Sequence, residues 1–208
     1  MKKLAQSVLS LSIIASFFAC GGAEKKAEET TTEEITENFE IREVPINPAE
    51  SSVMWEGNVV GVYTHSGTVS VVDGVLTMEG SRVIDGSFVV DLTSMQATDD
   101  NYNPEEGKSK DKLIEHLSSP DFFDVGNFPT ASFEILEHNI DNNTITGNLT
   151  VRGITKEETV EDVIVNLDSG IATGKLVFDR HNYEVAFKHP AQDVVISDDV
   201  TLKVNLKI

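Results

Sequence analysis

Alternation of apolar and polar residues constrains this chain more than any other feature, because it runs through most of the sequence beyond residue 50. In residues 144–152 every second position is apolar or glycine, with Ile145, Leu149 and Val151 among them, and polar residues lie between. Successive side chains of a strand point to opposite faces, so this pattern is typical of a strand that buries one face. Residues 200–208 repeat it, and the chain is predicted to be all-β.

Further strands are predicted along the chain at residues 53–60, 68–72, 75–79, 86–92, 93–98, 131–136, 159–167, 171–178 and 183–187. Asp73-Gly74, flanked by alternating runs, predicts a hairpin turn, and residues 141–143, Gly153 and 168–170 predict others. Strands joined by such short turns are antiparallel. A sheet of about eight strands, or slightly more, with one apolar face must close or stack, and closure also removes its edges. We therefore favour a closed antiparallel barrel, and a β-sandwich remains the alternative.

One stretch between the strands breaks the alternation. Residues 110–117 predict a two-turn helix with Leu113, Ile114 and Leu117 on one side, which ends before Pro120. A group of phenylalanines follows, at Phe122, Phe123, Phe128 and Phe133. This helical insert is predicted to cap one mouth of the barrel. Gly147, Ala172 and Gly174 are small residues predicted to face inward. They would either leave a cavity in the barrel or fit a part of the interior that tapers.

The first 43 residues are not predicted to belong to the fold. Lys2 and Lys3 precede a mostly apolar run at residues 4–19, as in a signal peptide, so residues 1–19 are assigned to one. Cys20, the only cysteine of the chain, follows Ala19 and precedes Gly21, which resembles a bacterial lipobox and predicts a lipidated Cys20. An ordinary signal peptide with an unrelated cysteine is the alternative. Residues 20–43 are rich in Glu, Lys and Thr and are predicted to be a disordered acidic tether, so the domain comprises residues 44–208.

Charge excludes one class of partner. The net charge is −19, and no basic stripe is present, so nucleic-acid binding is not expected. Acidic character also argues against electrostatic attraction to anionic headgroups, so membrane attachment would depend on the lipid at Cys20. These features predict a lipid-anchored protein of the bacterial cell envelope, on the periplasmic side or at the cell surface.

Several spaced motifs of residues 46–208 resemble the YceI-like family. They are Trp55, THSGTV at 64–69, GSF at 86–88, HLSSPDFFD at 116–124, FPTASF at 128–133, ITGNLTVRGITK at 145–156 and FDRHNY at 178–183. Glu184 stands where the family often has Gly. The resemblance implies a lipocalin-like barrel of about eight strands with a helical insert. It also implies that a polyisoprenoid chain, such as a quinone tail, is bound inside the barrel.

Carried over residue by residue, the resemblance implies that Phe122, Phe123, Phe128 and Phe133 shape the apolar mouth or lining, while Trp55, His65 and His116 lie at motif positions. Periodicity adds Phe88, Leu149 and Phe178 as inward-facing residues. The candidate ligand-binding residues are therefore Trp55, His65, Phe88, His116, Phe122, Phe123, Phe128, Phe133, Leu149 and Phe178.

Signals for catalysis or a metal site are absent. The five histidines are His65, His116, His138, His181 and His189; none forms a metal-ligand pair by spacing, and no G-x-S-x-G motif occurs. Asp121 and Asp124 are interpreted as turn or capping groups, and Asp179 with Arg180 as a local ion pair or turn. We expect no catalytic residue, metal or cofactor.

The sequence therefore predicts non-enzymatic binding of an apolar lipid inside a barrel, with the isoprenoid or quinone as ligand rather than cofactor. An envelope structural or interaction protein with a filled barrel is the alternative, and a metal-dependent hydrolase is a third. Homodimerisation stays open.

Overall fold

The structure is a computed structural model that describes residues 40–103, 105, 107–188, 191 and 194–208. The signal peptide, Cys20 and the tether up to residue 39 lie outside the described residues, as does His189.

The described residues contain nine strands and one α-helix. The strands are β1 (Ile41–Pro45), β2 (Ser52–Val59), β3 (Tyr63–Glu79), β4 (Arg82–Ala97), β5 (Thr130–Asn139), β6 (Thr144–Val151), β7 (Ile154–Asn166), β8 (Ile171–Asp179) and β9 (Ile196–Lys207). The helix α1 (Lys110–Ser118) lies between β4 and β5, and short 3-10 helices occupy Pro48–Glu50 and Arg180–Tyr183. None of the helices in the described part of the chain is long and apolar enough to cross a membrane.

Eight of the strands close into a barrel. Each strand from β2 to β8 pairs antiparallel with the next along the chain, and β9 pairs back with β2. The remaining strand, β1, pairs with the second half of β3, beyond the part of β3 that pairs with β2. Residues 41–43, predicted to end the disordered tether, belong to this strand, so the ordered domain begins before residue 44. The predicted closed antiparallel barrel with a short helical insert is confirmed, and the sandwich alternative is wrong.

Tight turns connect neighbouring strands where the sequence predicted several of them. Arg152 and Gly153 form a two-residue connection between β6 and β7 with φ angles of 52° and 72°. Two positive φ angles are the signature of the type I′ turn, whose twist matches that of an antiparallel pair.

The predicted hairpin at Asp73-Gly74 is wrong. Both residues lie inside β3, which runs for 17 residues. The register against β4 shifts between Val71 and Asp73, so the irregularity is a bulge within one strand. The separate strand predicted at 93–98 is likewise the end of β4, which runs on to Ala97 past a register shift.

The strand predicted at 183–187 is also wrong. Tyr183 ends a 3-10 helix, and residues 185–188 are irregular. The buried Arg180 donates hydrogen bonds to the carbonyls of Val185 and Phe187. Because these carbonyls are already bonded to a side chain, they do not pair with a neighbouring strand.

The two ends of the barrel are packed differently. One end holds Leu76, Met78 and Val83, each at most 2 % exposed, beside the turn that joins β3 to β4. At the other end, called the mouth here, β2, β4, β6 and β8 end and β3, β5, β7 and β9 begin. The helical insert, the segment after β8 and the β2–β3 loop all belong to this end.

Candidate ligand-binding cavity

A cavity of about 190 Å³ occupies the half of the barrel nearest the mouth. It is partly open, and its wall is almost entirely apolar. Every strand from β2 to β9 contributes a lining residue, as do α1 through Leu117 and the segment after it through Phe122 and Phe123. An engineered apolar cavity of about 150 Å³ stays dry and binds benzene, so a cavity of this kind can hold hydrocarbon.

Most of the predicted binding residues meet at this cavity. The wall includes eight of them: Trp55, His65, Phe88, Phe122, Phe123, Phe133, Leu149 and Phe178. Phe88 and Phe133 are cross-strand partners on β4 and β5, with ring centroids 6.1 Å apart. Of the four phenylalanines grouped in the sequence, Phe122, Phe123 and Phe133 therefore share the wall of this cavity.

Two predicted residues lie outside the wall. The His116 ring packs edge-on against Phe122 and Phe187, with centroids 4.9 Å and 4.5 Å away. It therefore joins the helical insert to the segment after β8. Phe128 lies beside Gly153 of the β6–β7 turn, where an added Cβ would come within 3.0 Å of its ring. Neither residue lines the cavity.

The insert covers the mouth because its local sequence places it there. Ser109 caps α1 by accepting a hydrogen bond from the Lys112 amide, and Leu113, Ile114 and Leu117 pack against the core. After the helix, backbone hydrogen bonds from Phe123 and Val125 to Leu117 and Ser118 fold the chain back. Phe122 is thereby held at 7 % exposure beneath the cap.

Arg180 is a buried charged residue of the cavity wall that the sequence patterns did not indicate. Its side chain is 4 % exposed and lines the wall. Its Nε donates to the Ser197 carbonyl, and one terminal nitrogen donates to those of Val185 and Phe187. Asp198, 3.5 Å from the other terminal nitrogen, supplies the ion pair that the sequence had suggested for Asp179.

Asp179 has a different role. Its carboxylate accepts a hydrogen bond from the His181 amide at the start of the 3-10 helix, as a capping group does. Of the two interpretations of Asp179 and Arg180, a local ion pair or a turn, the structure shows the turn. The guanidinium of Arg180 points inward and fastens the segment after β8.

A polar cluster borders the cavity beside β3. The Nδ1 atom of His65 lies 3.1 Å from Asp99, and the Tyr102 ring stacks on the imidazole with centroids 5.0 Å apart. Asp99 also accepts hydrogen bonds from the amides of Ser66 and Asn101 and from the Tyr102 hydroxyl. No sequence spacing indicated this cluster, because Asp99 and His65 are 34 positions apart.

Competing effects set the pKa of Asp99. Burial would raise it, since a desolvated carboxyl prefers to be neutral. The hydrogen bonds from Ser66, Asn101, Tyr102 and His65 stabilise the charged form and together lower the pKa to about 2. Asp99 is therefore a carboxylate at neutral pH, and only a protonated Nδ1 of His65 can bond to it.

No group of three or more His, Cys, Asp or Glu side chains in the described part of the chain is arranged to hold a metal ion. His65 and His116 contact different neighbours. The expected absence of a metal stays a prediction.

Comparison with known proteins decides the family. The model of the YceI-like domain matches residues 45–208. The chain belongs to the YceI-like family. This match covers the whole barrel, from the end of β1 to the last residue.

Individual relatives are more distant or match over shorter stretches. A UPF0312 protein of Pseudomonas paraeruginosa is 52 % identical over 48 residues, which are 22 % of this chain and 25 % of the relative. A UPF0312 protein of Staphylococcus aureus is 34 % identical over 96 residues, 41 % of this chain and 54 % of the relative. The aligned part of this YceI-like chain thus spans a quarter to about half the length of these relatives.

A solved structure supports the fold. BcnA of Burkholderia cenocepacia superposes with a TM-score of 0.58 at 20 % identity, covering 77 % of this chain and 98 % of BcnA. At this identity the likeness concerns the barrel architecture alone.

Proposed function

We propose that this YceI-like protein binds an apolar lipid chain inside its barrel without chemically changing it. The single observation that carries the proposal is the partly open cavity with an apolar wall beneath the helical insert. Polyisoprenoid or quinone-type tails are the proposed ligands, because such chains are apolar along their length, as is the wall of the cavity. The non-enzymatic role is part of the proposal.

Burial of hydrocarbon supplies enough free energy for this function. Each buried methylene contributes about 0.8 kcal/mol, so roughly ten buried groups contribute about 8 kcal/mol. That corresponds to about micromolar affinity before the costs of association are subtracted. The wall needs no charged group to achieve it.

The proposal is tested on protein purified from its native host. Organic extraction followed by mass spectrometry should recover one class of apolar lipid in an amount comparable to that of the protein, and native mass spectrometry should show the same mass on the chain. Consistently lipid-free protein that also takes up no added lipid would instead favour an envelope structural or interaction protein.

For location, we propose attachment to a bacterial envelope membrane through a lipid on Cys20, on the periplasmic side or at the surface. The motif around Cys20 supports this. The Cys20→Ser variant should move from the membrane fraction to the soluble fraction on cell fractionation. A variant that stays in the membrane fraction would contradict the anchor.

A further inference from the structure

One side of the mouth carries an exposed apolar patch on the outside of the barrel. Val60 and Val62 belong to the loop between β2 and β3, Tyr63 begins β3, and Val195 lies just before β9. These four residues, called the apolar rim here, are each between 38 % and 65 % exposed. The amide of Val60 donates a hydrogen bond to the Val195 carbonyl, so the two segments lie side by side. Contiguous exposed apolar surface marks a binding surface more often than scattered single residues do.

The backbone of the loop makes its tip project from the barrel. The Val59 carbonyl accepts a hydrogen bond from the Val62 amide at 3.0 Å, and Gly61 has a φ of 72°, as in a type II turn. Apart from the two chain neighbours of Gly61, no heavy atom of the described residues lies within 4 Å of where its Cβ would be. Val60 and Val62 therefore stand on either side of a free loop tip.

Asp, Glu, Lys and Arg are absent from the sequence around the apolar rim. None occurs in residues 57–72 or 194–197, although these four types make up 25 % of the chain. Ile164, similarly exposed at the end of the barrel opposite the mouth, lies two residues after Asp162. An apolar loop tip can enter the boundary of a lipid bilayer, whereas a carboxylate would have to leave water at a large cost. The rim is therefore suited to a hydrocarbon surface in a way that the rest of the exposed apolar residues need not be.

The apolar rim adjoins the cavity. Val59 and Ile196 pair across β2 and β9, and both line the cavity. Each of them is the chain neighbour of a rim residue, Val60 or Val195. A hydrocarbon chain that leaves or enters the partly open cavity on this side of the mouth would therefore pass from one set of apolar side chains to the other.

The proposed lipid anchor allows the mouth to reach the membrane. β1 begins with Ile41, which pairs with Glu79 at the end of the barrel opposite the mouth. Residues 21–39 can span at most about 65 Å. The 17 residues of β3, which runs from the mouth to that end, span at most about 55 Å. The chain between Cys20 and the barrel is thus long enough for the apolar rim to contact the bilayer that holds the anchor.

From this arrangement we propose that the apolar rim docks the mouth of the barrel on a lipid bilayer, so that the ligand passes between bilayer and cavity without crossing water. Tyr63 suits the bilayer interface because its ring is apolar and its hydroxyl is polar. Asp198 and Asp199 follow the rim in sequence, so a surface of zwitterionic lipids is favoured over an anionic one. This inference rests on the proposed function and adds to it the route by which the ligand enters.

A fluorescent probe at two positions tests the docking. In the full-length chain carrying Cys20→Ser, a single cysteine is introduced as Val62→Cys or, for the control at the opposite end, as Ile164→Cys. Each is labelled with the dye NBD, whose emission rises in apolar surroundings. Phosphatidylcholine vesicles should raise the emission about 3-fold or more at position 62 and leave it unchanged at position 164, and vesicles containing phosphatidylglycerol should raise it less. Since the rest of the chain is the same, binding through its N-terminal residues affects both proteins alike.

Uptake of hydrocarbon from a bilayer tests the route without a dye. The Cys20→Ser chain is mixed with phosphatidylcholine vesicles that contain 9-octadecene, and after removal of the vesicles the hydrocarbon on the protein is quantified over time by mass spectrometry. Val60→Asp should slow the uptake about 10-fold or more, because its carboxylate resists leaving water, while Ile164→Asp should keep the wild-type rate. Neither residue lines the cavity, so the amount bound at equilibrium should not change in either variant.

Equal changes of emission at positions 62 and 164 would overturn the docking surface, as would an unchanged rate of uptake in Val60→Asp. A rise at position 62 that needs no vesicles and grows with protein concentration would also overturn it, and would show that the rim pairs with a second copy of the chain. Vesicle-dependent emission at position 62 without any uptake of octadecene would support the docking surface and refute the proposed function.

Discussion

Asp99 shows how a single residue can hold the mouth of this barrel together. Its carboxylate joins the start of β3, through His65 and Ser66, to the loop after β4, through Asn101 and Tyr102. The side chain is 9 % exposed, so these charge-assisted hydrogen bonds form away from bulk water. The neighbouring Asp100 is fully exposed and pairs only at 3.5 Å with Lys110.

These two aspartates make a matched test at the residue scale. Asp99→Asn should lower the free energy of unfolding at pH 7 by about 2 kcal/mol, because an amide cannot accept from all four donors. Asp100→Asn should cause no measurable change, since exposed pairs contribute little. Urea denaturation monitored by the fluorescence of Trp55 measures both.

The pH dependence of this effect has a defined sign. A depressed pKa means that the folded state holds the proton less tightly than the unfolded state, so the stabilisation is fully present above the ordinary value of 3.8. It is lost as pH falls from 3.8 toward about 2. The difference between wild type and Asp99→Asn should shrink over that window, and a difference that is the same at pH 7 and pH 2 would contradict this role for Asp99.

At the scale of elements, Arg180 determines the path of the chain after β8. Three backbone carbonyls, those of Val185, Phe187 and Ser197, accept hydrogen bonds from one guanidinium. This fixes the segment after the 3-10 helix against the start of β9. Glu184, with a φ of 58°, ends that helix in the left-handed conformation that glycine adopts most easily.

Arg180→Lys should loosen this segment while leaving the barrel closed. Lysine keeps the charge but cannot direct donors to three separate carbonyls. Hydrogen exchange of the amides in residues 181–188 should become at least several-fold faster, while residues 144–151 of β6 keep their wild-type rates. The exposed Arg42→Lys is the control and should change neither. Unchanged protection of 181–188 would show that the guanidinium does not hold the segment.

The sequence predicted most strands correctly and failed where hydrogen bonds that local patterns do not show decide the backbone. Alternation predicted β6 and β9 because one buried face suffices to produce the pattern. Asp73-Gly74 is a residue pair that suits both a hairpin turn and a β-bulge. Only the strand with which the segment pairs distinguishes the two. At residues 183–187 the apolar pattern predicted a strand. In the structure the carbonyls of Val185 and Phe187 accept hydrogen bonds from Arg180, so they are not available to pair with another strand.

At the scale of the whole molecule, the position of the empty volume was not predictable from residue size. Gly147, Ala172 and Gly174 were the candidates for leaving space, yet none of them lines the cavity. A Cβ on Gly147 would come within 2.5 Å of the Phe133 ring, and one on Gly174 within 2.5 Å of Val160, so neighbouring side chains already fill those positions. The space lies instead near the mouth, beneath the insert, where Leu117, Phe122 and Phe123 contribute to its wall.

Because the empty space lies in the half of the barrel nearest the mouth, replacing a buried alanine by phenylalanine should have a different effect on stability at two positions. Ala131 and Ala172 are each 8 % exposed, but only Ala131 lines the cavity. Ala131→Phe should place its ring in existing space, leave the free energy of unfolding close to that of the wild type and reduce lipid retention at least 10-fold. Ala172→Phe has no such space and should lower the free energy of unfolding by about 1–3 kcal/mol, as overpacking does.

Chemical denaturation and retention of 9-octadecene, measured on the same two variants, separate the possible outcomes. If Ala131→Phe destabilises the fold as much as Ala172→Phe does, the interior near the mouth is already filled. If Ala131→Phe folds normally and retains the hydrocarbon at the wild-type level, the lipid lies elsewhere. Loss of retention in Ala131→Phe with stability preserved is the combination expected of a barrel whose lipid occupies this cavity, because the ring and the hydrocarbon then compete for the same volume.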